Sequence, residues 1–211
     1  MKKKRLAILG ASGHGKVVAD AALMGNWDEI IFFDDAWPEL TEVGPWQVVG
    51  NTRQLMEQSL CFEGAIVAIG NNVIRLEKLH ELEQTGLQLV TIIHPLAVVS
   101  SYSEIGKGSV VFAGAVINAF ATIGCGCIVN TGSTIDHDCV LADGVHVSPG
   151  AHLGGMVNVG KMAWIGIGAS VKQCVKICEN VIVGAGAAVV NDIASGLTVV
   201  GVPARELVKS T

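Results

Sequence analysis

Aliphatic residues recur every six positions through the second half of the 211-residue chain, from Val99 to Val189. All sixteen positions at this spacing are aliphatic, and no insertion interrupts the series. A period of six does not match the 3.6-residue turn of an α-helix, around which the aliphatic stripe would be spread. The sixteen residues are Val99, Ile105, Val111, Ile117, Ile123, Val129, Ile135, Leu141, Val147, Leu153, Val159, Ile165, Val171, Ile177, Val183 and Val189.

This short, strict period is typical of a solenoid. It predicts a parallel β-helix in which each hexad forms one short strand and one tight corner, and three hexads form a triangular coil of eighteen residues. The aliphatic residues would fill the interior. The small residue found four positions after most of them, such as Ala115 or Cys127, would fit near a corner. Residues eighteen apart should then lie on neighbouring coils, about 4.8 Å from each other.

The first part of the chain instead alternates apolar runs with helix-like segments, and Asn51 and Asn72 are the expected N-caps of two helices. Strands alternating with helices indicate a small parallel βαβ sheet of about four strands. We therefore predict an α/β, Rossmann-like domain over residues 1–94, then an all-β β-helix domain over residues 95–211 that ends in a cap at 196–211. The predicted strands are 5–9, 29–33, 65–69 and 87–93, and the predicted helices are 17–23, 52–58 and 73–84.

Composition narrows the function classes. Half of the residues are hydrophobic and only 16% are charged, which is too apolar for a disordered chain. The net charge is −5 and no basic face is evident, which argues against nucleic acid as a partner. No apolar run approaches the roughly 20 residues of a membrane span, so we expect no membrane insertion. The six cysteines have the character of free thiols, which favours a reducing, cytoplasmic location.

A first candidate site follows the first predicted strand. The segment 10–16, Gly-Ala-Ser-Gly-His-Gly-Lys, joins a strand to a helix, an arrangement whose exposed amides and helix N-terminus suit a phosphate. A tight turn without a ligand is the alternative. Acidic residues end the second predicted strand, where they would accept hydrogen bonds from a ribose or base, although a solvated acidic loop has the same pattern. The candidate residues are Gly10, Ser12, Gly13, His14, Gly15, Asp34, Asp35 and Asn71.

A second candidate site lies in the hexad region, where His137, His146 and His152 occupy positions expected to point outward. Eighteen residues after His137 comes Gly155, which would leave room and an exposed amide beside the imidazole. By the same spacing, His146 should lie beside Trp164, as in a ligand groove or subunit contact. Asp136 and Asp138 flank His137, and a nearby carboxylate raises the basicity of a histidine and fixes its tautomer.

Several motifs together resemble the NeuD/PglD family of hexapeptide-repeat sugar acetyltransferases, and their similarity spans nearly the whole chain. The resemblance implies a left-handed β-helix, a homotrimer, and acetyl-CoA as co-substrate without a metal. It is nearest to the PglD-type enzymes, which N-acetylate a UDP-linked 4-amino sugar. The motifs are Gly10 to Lys16, Phe33-Asp34-Asp35, Ala68 to Asn72, Asn130-Thr131, Ile135 to Cys139, His146-Val147-Ser148 and Gly201 to Ala204.

The resemblance also implies residue roles. His137 would be the general base that deprotonates the sugar amine, with Asp138 in the place where PglD-type enzymes have glutamate. A neutral imidazole with a pKa near ~6.5 suits that task. The first candidate site would hold the nucleotide sugar. Acetyl-CoA would lie between neighbouring β-helices, in contact with His146, Gly155, Trp164, Ile167, Gly168 and Ala185.

The expected trimer has support from apolar residues on the outer faces of the β-helix, since they are unusual on a solvated solenoid. They are Val110, Val116, Phe120, Ile128, Val140 and Trp164.

Other functions fit parts of the pattern. O-acetylation of sialic acid or N-acetylation of a GDP-linked amino sugar remains open within the family. A zinc hydratase on the same fold would use three histidines, but the spacings of nine and six residues among His137, His146 and His152 differ from the five-residue pair of those enzymes. A non-catalytic scaffold with a nucleotide-sensing first domain is a further alternative.

Overall fold

The computed structural model describes residues 3–207 of the chain. It divides into two compact units, Met1–Pro95 and Leu96–Thr211. The last four residues of the expected C-terminal cap, 208–211, lie outside the described part.

The first unit is a small parallel α/β fold. Its sheet has the order Glu29–Phe33 (β2), Arg5–Leu9 (β1) and Gly64–Val67 (β5), so β1 is central and pairs in parallel with both neighbours. Leu6 to Leu9 are at most 1% exposed, as expected for a strand covered on both faces. The elements are β1 Arg5–Leu9, α1 Gly13–Met24, β2 Glu29–Phe33, β3 Glu42–Val43, β4 Trp46–Gln47, α2 Thr52–Glu57, a 3-10 turn Ser59–Cys61, β5 Gly64–Val67, α3 Asn72–Glu83 and β6 Ile92–Ile93.

Two helix starts differ from the sequence-based expectation. Helix α1 begins at Gly13 rather than at residue 17, so His14 and Gly15 lie in its first turn and not in a loop. Asn72 is not a cap but the first residue of α3, and Asn71 caps that helix, its Oδ1 accepting from Val73 N at 3.0 Å and Ile74 N at 3.1 Å. Asn51 caps α2 as expected, in a reciprocal pair with Gln54.

The predicted fourth strand, residues 87–93, forms only in part. In the first unit's sheet, Ala65 exchanges backbone hydrogen bonds with this segment, accepting from Val90 N at 3.0 Å and donating to Gln88 O at 2.9 Å. Pairing of this segment with β5 is therefore limited to a single bridge between Ala65 and Leu89. The regular strand within residues 87–93 is β6, which is only two residues long. The loop expected between β2 and α2 instead contains the antiparallel pair β3–β4.

The second unit is a parallel β-helix, as predicted. Each aliphatic residue of the hexad series is the second residue of a two-residue strand, and strands pair in parallel with those eighteen residues away, as Ile117 does with Val99 and Ile135. Fourteen of these aliphatic residues are buried, while Val99 and Ile105, at the start of the prism, are half-buried. The predicted fold class, a small parallel α/β unit followed by an all-β parallel β-helix, is confirmed.

The strands form three faces of a prism. The first face holds Val98–Val99, Val116–Ile117, Thr134–Ile135, His152–Leu153, Ser170–Val171 and Ala188–Val189. The second holds Glu104–Ile105, Thr122–Ile123, Val140–Leu141, Asn158–Val159 and Lys176–Ile177. The third holds Val110–Val111, Ile128–Val129, His146–Val147, Trp164–Ile165 and Ile182–Val183.

Small residues complete the interior, and an antiparallel hairpin closes the third face. Cys127 and Cys139 are at most 1% exposed and occupy interior positions, as predicted. The hairpin pairs Thr198–Val200 with Arg205–Glu206. No helix within residues 3–207 combines the length and apolar character needed to cross a membrane.

Candidate functional site

His137 stands at the corner that follows the first face, in the turn after Thr134–Ile135. Its Nδ1 lies 2.7 Å from Asp138 Oδ2, and the two side chains are each 52% exposed. This hydrogen bond, together with the charges of Asp136 and Asp138, raises the pKa of His137 above its ordinary value. Because Nδ1 faces a carboxylate, the neutral ring carries its proton on Nδ1 and presents the lone pair of Nε2.

The neighbouring carboxylate has a separate task. Asp136 Oδ1 accepts from Asn118 Nδ2 at 2.9 Å and from the His137 backbone N–H at 2.8 Å. These hydrogen bonds, that from Asn118 foremost, lower the pKa of Asp136. Asp136 therefore fixes the backbone of the turn, whereas Asp138 fixes the imidazole ring.

Gly155 lies against the imidazole of His137, as the eighteen-residue spacing predicted. A Cβ added at Gly155 would stand 2.5 Å from Nε2 and 2.6 Å from Cε1 of His137. Any side chain at this position would push the ring away. The glycine therefore makes the space in which the imidazole sits.

His146 and Trp164 are stacked on the third face, with ring centroids 4.4 Å apart and planes inclined at 40°. Asn130 Oδ1 accepts from Thr131 N at 2.8 Å, which turns its Nδ2 toward His146 Nε2 at 3.2 Å. Trp164 Nε1 donates to Ser148 Oγ at 2.8 Å. His146 lies beside Trp164, as predicted, but contact with the indole and the Asn130 amide leaves it buried rather than exposed.

Apart from Gly155, which lies at the His137 corner, the expected acetyl-CoA contacts occupy two regions of the β-helix. Ile167 and Ala185 are exposed and lie eighteen residues apart, at the corner that follows the third face, where Gly168 completes the turn. His146 and Trp164 are on the third face itself. His137 stands at a different corner, between the first and second faces, so a single chain does not bring these groups together.

In the first unit, close packing explains two of the glycines. A Cβ at Gly10 would meet Ala68 O at 2.7 Å, and one at Gly15 would overlap the Gly10 carbonyl oxygen and the Phe32 ring. Ser12 and Gly13 are exposed at the start of α1, and Gly13 has open space where a side chain would be. The surface that α1 offers to a ligand is therefore formed by Ser12 and Gly13.

The two acidic residues after β2 are engaged with backbone amides. Asp34 Oδ2 accepts from Ala11 N at 2.7 Å, which ties the end of β2 to the glycine segment. Asp35 Oδ1 accepts from Thr52 N at 2.8 Å, and Asp35 pairs with Lys78 at 3.6 Å. Partial burial acts to raise the pKa of Asp35, but the hydrogen bonds from Thr52 and the charge of Lys78 outweigh it and lower the pKa.

A buried arginine that the sequence analysis missed supports the same region. Arg75 is 1% exposed, and its guanidinium donates to Ile69 O at 2.9 Å, to Gly70 O at 3.1 Å and to Asn72 Oδ1 at 2.8 Å. Burial, and next the charge of Arg75, lower the pKa of His14 to about 4, so this imidazole is neutral near pH 7. In the sequence Arg75 is one more charged residue of a helix, and nothing there marks it as buried.

Comparison with known proteins places these features in a family. Residues 5–82 match the family model of the PglD N-terminal domain. A UDP-N-acetylbacillosamine N-acetyltransferase from Bacillus subtilis is 39% identical over 117 residues, which is 52% of this chain and 52% of the relative, so the match spans about half of that relative's length.

Solved structures are similar over nearly the whole chain. The acetyltransferase domain of PglB from Neisseria gonorrhoeae, solved with acetyl coenzyme A, is 43% identical with a TM-score of 0.93, over 98% of this chain and 100% of that one. Perosamine N-acetyltransferase from Caulobacter crescentus, solved as a mutant with CoA and GDP-perosamine, is 36% identical with a TM-score of 0.92, over 97% of each chain.

The parallel β-helix and the similarity to these solved structures place the chain among the hexapeptide-repeat acetyltransferases. More specifically, the chain belongs to the PglD-like family of sugar acetyltransferases.

Proposed function

We propose that the protein transfers the acetyl group of acetyl-CoA to the 4-amino group of a nucleotide-linked amino-deoxy sugar, with UDP as the nucleotide. The co-substrate is supported by the PglB domain, which was solved with acetyl coenzyme A. The UDP-linked acceptor is supported by the Bacillus subtilis relative, named for a UDP-linked sugar. A GDP-linked acceptor is the second candidate, since the Caulobacter crescentus relative was solved with GDP-perosamine.

The carrying observation is the His137–Asp138 pair, whose Nδ1–Oδ2 distance is 2.7 Å and whose Nε2 faces Gly155. A sugar ammonium cannot attack a thioester until it loses a proton. His137 Nε2 accepts this proton, and Asp138 stabilises the imidazolium that results. The amine then adds to the thioester carbonyl, and the Gly155 amide is positioned as a donor to the oxyanion. Collapse of the intermediate expels the CoA thiolate, which takes up the second proton of the amine nitrogen, and His137 returns the first proton to solvent.

The first unit would hold the nucleotide sugar. The amides at Ser12 and Gly13 open helix α1, where the helix dipole favours a phosphate. Asp35 and Asn71 lie after the two outer strands, β2 and β5, of the same parallel sheet, at whose carboxyl edge ligands of such folds bind. Each of these side chains already has a protein partner, and carboxylate and amide oxygens retain lone pairs for a ribose or base.

The acetyl-CoA site would be completed by a second copy of the chain. His137 belongs to one corner of the prism, while His146 and Trp164 belong to the third face. A homotrimer in which the corner of one β-helix meets the third face of the next would join them. Exposed Val140 supports such a contact, whereas Val110 and Ile128 are already buried within one chain and do not. Use of acetyl-CoA fits the expected cytoplasmic location.

A turnover assay tests the proposal. Acetyl-CoA is supplied with a UDP-linked 4-amino sugar, GDP-perosamine or sialic acid, and the released thiol is measured together with the mass of the product. We expect turnover with the UDP-linked sugar and a mass gain of one acetyl group. Turnover with GDP-perosamine or sialic acid alone would reassign the acceptor. Absence of turnover with all three, together with stoichiometric zinc in protein purified without chelators, would support the hydratase instead.

A further inference from the structure

The corner of His137 carries side chains in four successive coils where the backbone favours glycine, and Met162 and Asn180 do so at the corner after the second face. The fourth residue of a hexad turns the corner with a positive φ, and after the third face it is always glycine in the five coils from Gly114 to Gly186. Glycine adopts this conformation without steric cost, whereas a bulky residue is strained. After the first face, the corner of His137, four successive coils place other residues there: Phe120 (φ 62°), Asp138 (φ 57°), Met156 (φ 59°) and Cys174 (φ 63°).

Phe120 is the bulkiest of the four, and its own chain does not bury it. Its side chain is 62% exposed, and its ring lies 5.6 Å from that of Tyr102, which is 70% exposed. Neither the strained backbone of Phe120 nor the exposed position of the two rings stabilises the fold of a single chain. Such strain is typical of sites where the side chain has a function.

The aromatic pair is next to the proposed base. Phe120 precedes Asp138 by eighteen residues, so the two occupy the same place on neighbouring coils, about 4.8 Å apart along the prism. Between their turns, Asp138 N donates to Ala119 O at 3.2 Å. A sugar bound at the His137 corner therefore has the Phe120 turn one coil, about 4.8 Å, away.

We propose that Tyr102 and Phe120 form an apolar platform for the amino-deoxy sugar, and that Phe120 determines its specificity. This inference rests on the proposed acetyl transfer. A deoxy position presents C–H groups, which pack on an aromatic face. A hydroxyl at that position would lose hydrogen bonds to water against the ring, so a fully hydroxylated sugar is disfavoured.

Three variants test the platform. Phe120→Gly removes the ring and the strain together, Phe120→Tyr retains an aromatic ring, and Cys174→Gly relieves the same strain two coils away. We expect the two glycine variants to keep or raise Tm, by about 2–4 °C. Phe120→Gly should lower kcat/KM for the UDP-linked 4-amino sugar by roughly 10-fold or more, the usual worth of one apolar substrate contact. The KM for acetyl-CoA should not change. Phe120→Tyr should lose less activity toward the sugar than Phe120→Gly, and Cys174→Gly should behave as wild type.

The outcomes separate this inference from the proposed function. If the wild-type protein turns over neither the UDP-linked sugar nor GDP-perosamine, both the proposed acetyl transfer and the platform are rejected. If the wild type is active and Phe120→Gly has the same kcat/KM for the sugar, only the platform is rejected. Light scattering on Phe120→Gly provides the remaining check, because a changed mass with an unchanged sugar KM would assign the ring to a subunit contact.

Discussion

Asp138 Oδ2 lies 2.7 Å from His137 Nδ1, although Asp138 itself has a positive φ of 57°. Asp136, which precedes His137, accepts a hydrogen bond from the His137 backbone N–H and not from its ring. Two carboxylates on either side of one histidine thus have different tasks, one for the main chain and one for the side chain.

Replacing the base should have the largest effect on chemistry. His137→Ala is expected to lower kcat by ~10²–10⁴-fold, the usual contribution of a positioned general base. Both substrates should still bind. Raising the pH should partly restore the rate, because more of the amine is then already neutral. A variant that keeps more than about a tenth of the wild-type kcat would assign the proton transfer to another group.

Asp138→Asn should shift the pH profile. The base works in its neutral form, so kcat/KM rises with pH through the pKa of His137 in the free enzyme. The hydrogen bond from the imidazole to Asp138 raises that pKa. Removing the carboxylate should therefore move the acidic limb of the profile to lower pH, with a smaller loss of kcat than in His137→Ala. A limb that stays in place would show that Asp138 does not tune the base.

Gly155→Ala should displace the imidazole without removing it. The added Cβ would stand 2.5 Å from His137 Nε2, so the ring must move. A misplacement of about 1 Å can cost ~10²-fold in rate. We expect a fall in kcat of that order and a changed chemical shift of the His137 ring in NMR spectra. An unchanged rate would mean that the ring adopts another productive position.

Asp35→Ala should separate the two substrates. The KM for the nucleotide sugar should rise while that for acetyl-CoA stays nearly constant, because Asp35 lies in the first unit. The lowered pKa of Asp35 also contributes stability above the unfolded-state pKa of about 3.9, which is lost as the pH falls through the lower, folded-state pKa. Steady-state kinetics and acid unfolding measure the two effects. Equal changes in both KM values would argue against a separate nucleotide-sugar site.

Arg75→Met should weaken the proposed nucleotide-sugar site indirectly, by removing a buried side chain that supports it. The guanidinium holds the Ile69 and Gly70 carbonyls, and its charge helps to lower the pKa of His14 to about 4. We expect a raised KM for the nucleotide sugar and a raised pKa of His14, measured by NMR titration. Arg53→Met is the matched control, since Arg53 is an exposed helix residue whose ion pair with Glu57 contributes little. If Arg75→Met lowers Tm but leaves both readouts unchanged, Arg75 has a purely structural role.

The structure of the periodic β-helix could be predicted from the sequence, whereas side-chain contacts between coils and the exact helix caps could not. The six-residue period located Ile135 in the interior, Gly155 beside His137 and His146 beside Trp164, because the coil repeats without insertions. The period could not show that Asn130 and Trp164 bury His146, since side chains from different coils combine there. Likewise, Asn71 and Asn72 are equally good N-caps by residue type. Asn71 is the cap because its backbone is extended there and its side chain accepts from the first amides of the helix.

The pairing of strands eighteen residues apart has a consequence for how the protein can change length. The His137 corner is assembled from three successive coils, those of Asn118, His137 and Gly155. Each coil is hydrogen-bonded to its immediate neighbours in the stack. Adding one more eighteen-residue coil beyond Val171 would lengthen the prism by about 4.8 Å and leave this corner intact. An insertion into the coils that is not a multiple of eighteen residues would move the following strands onto the wrong faces, so the coiled stack grows in whole turns.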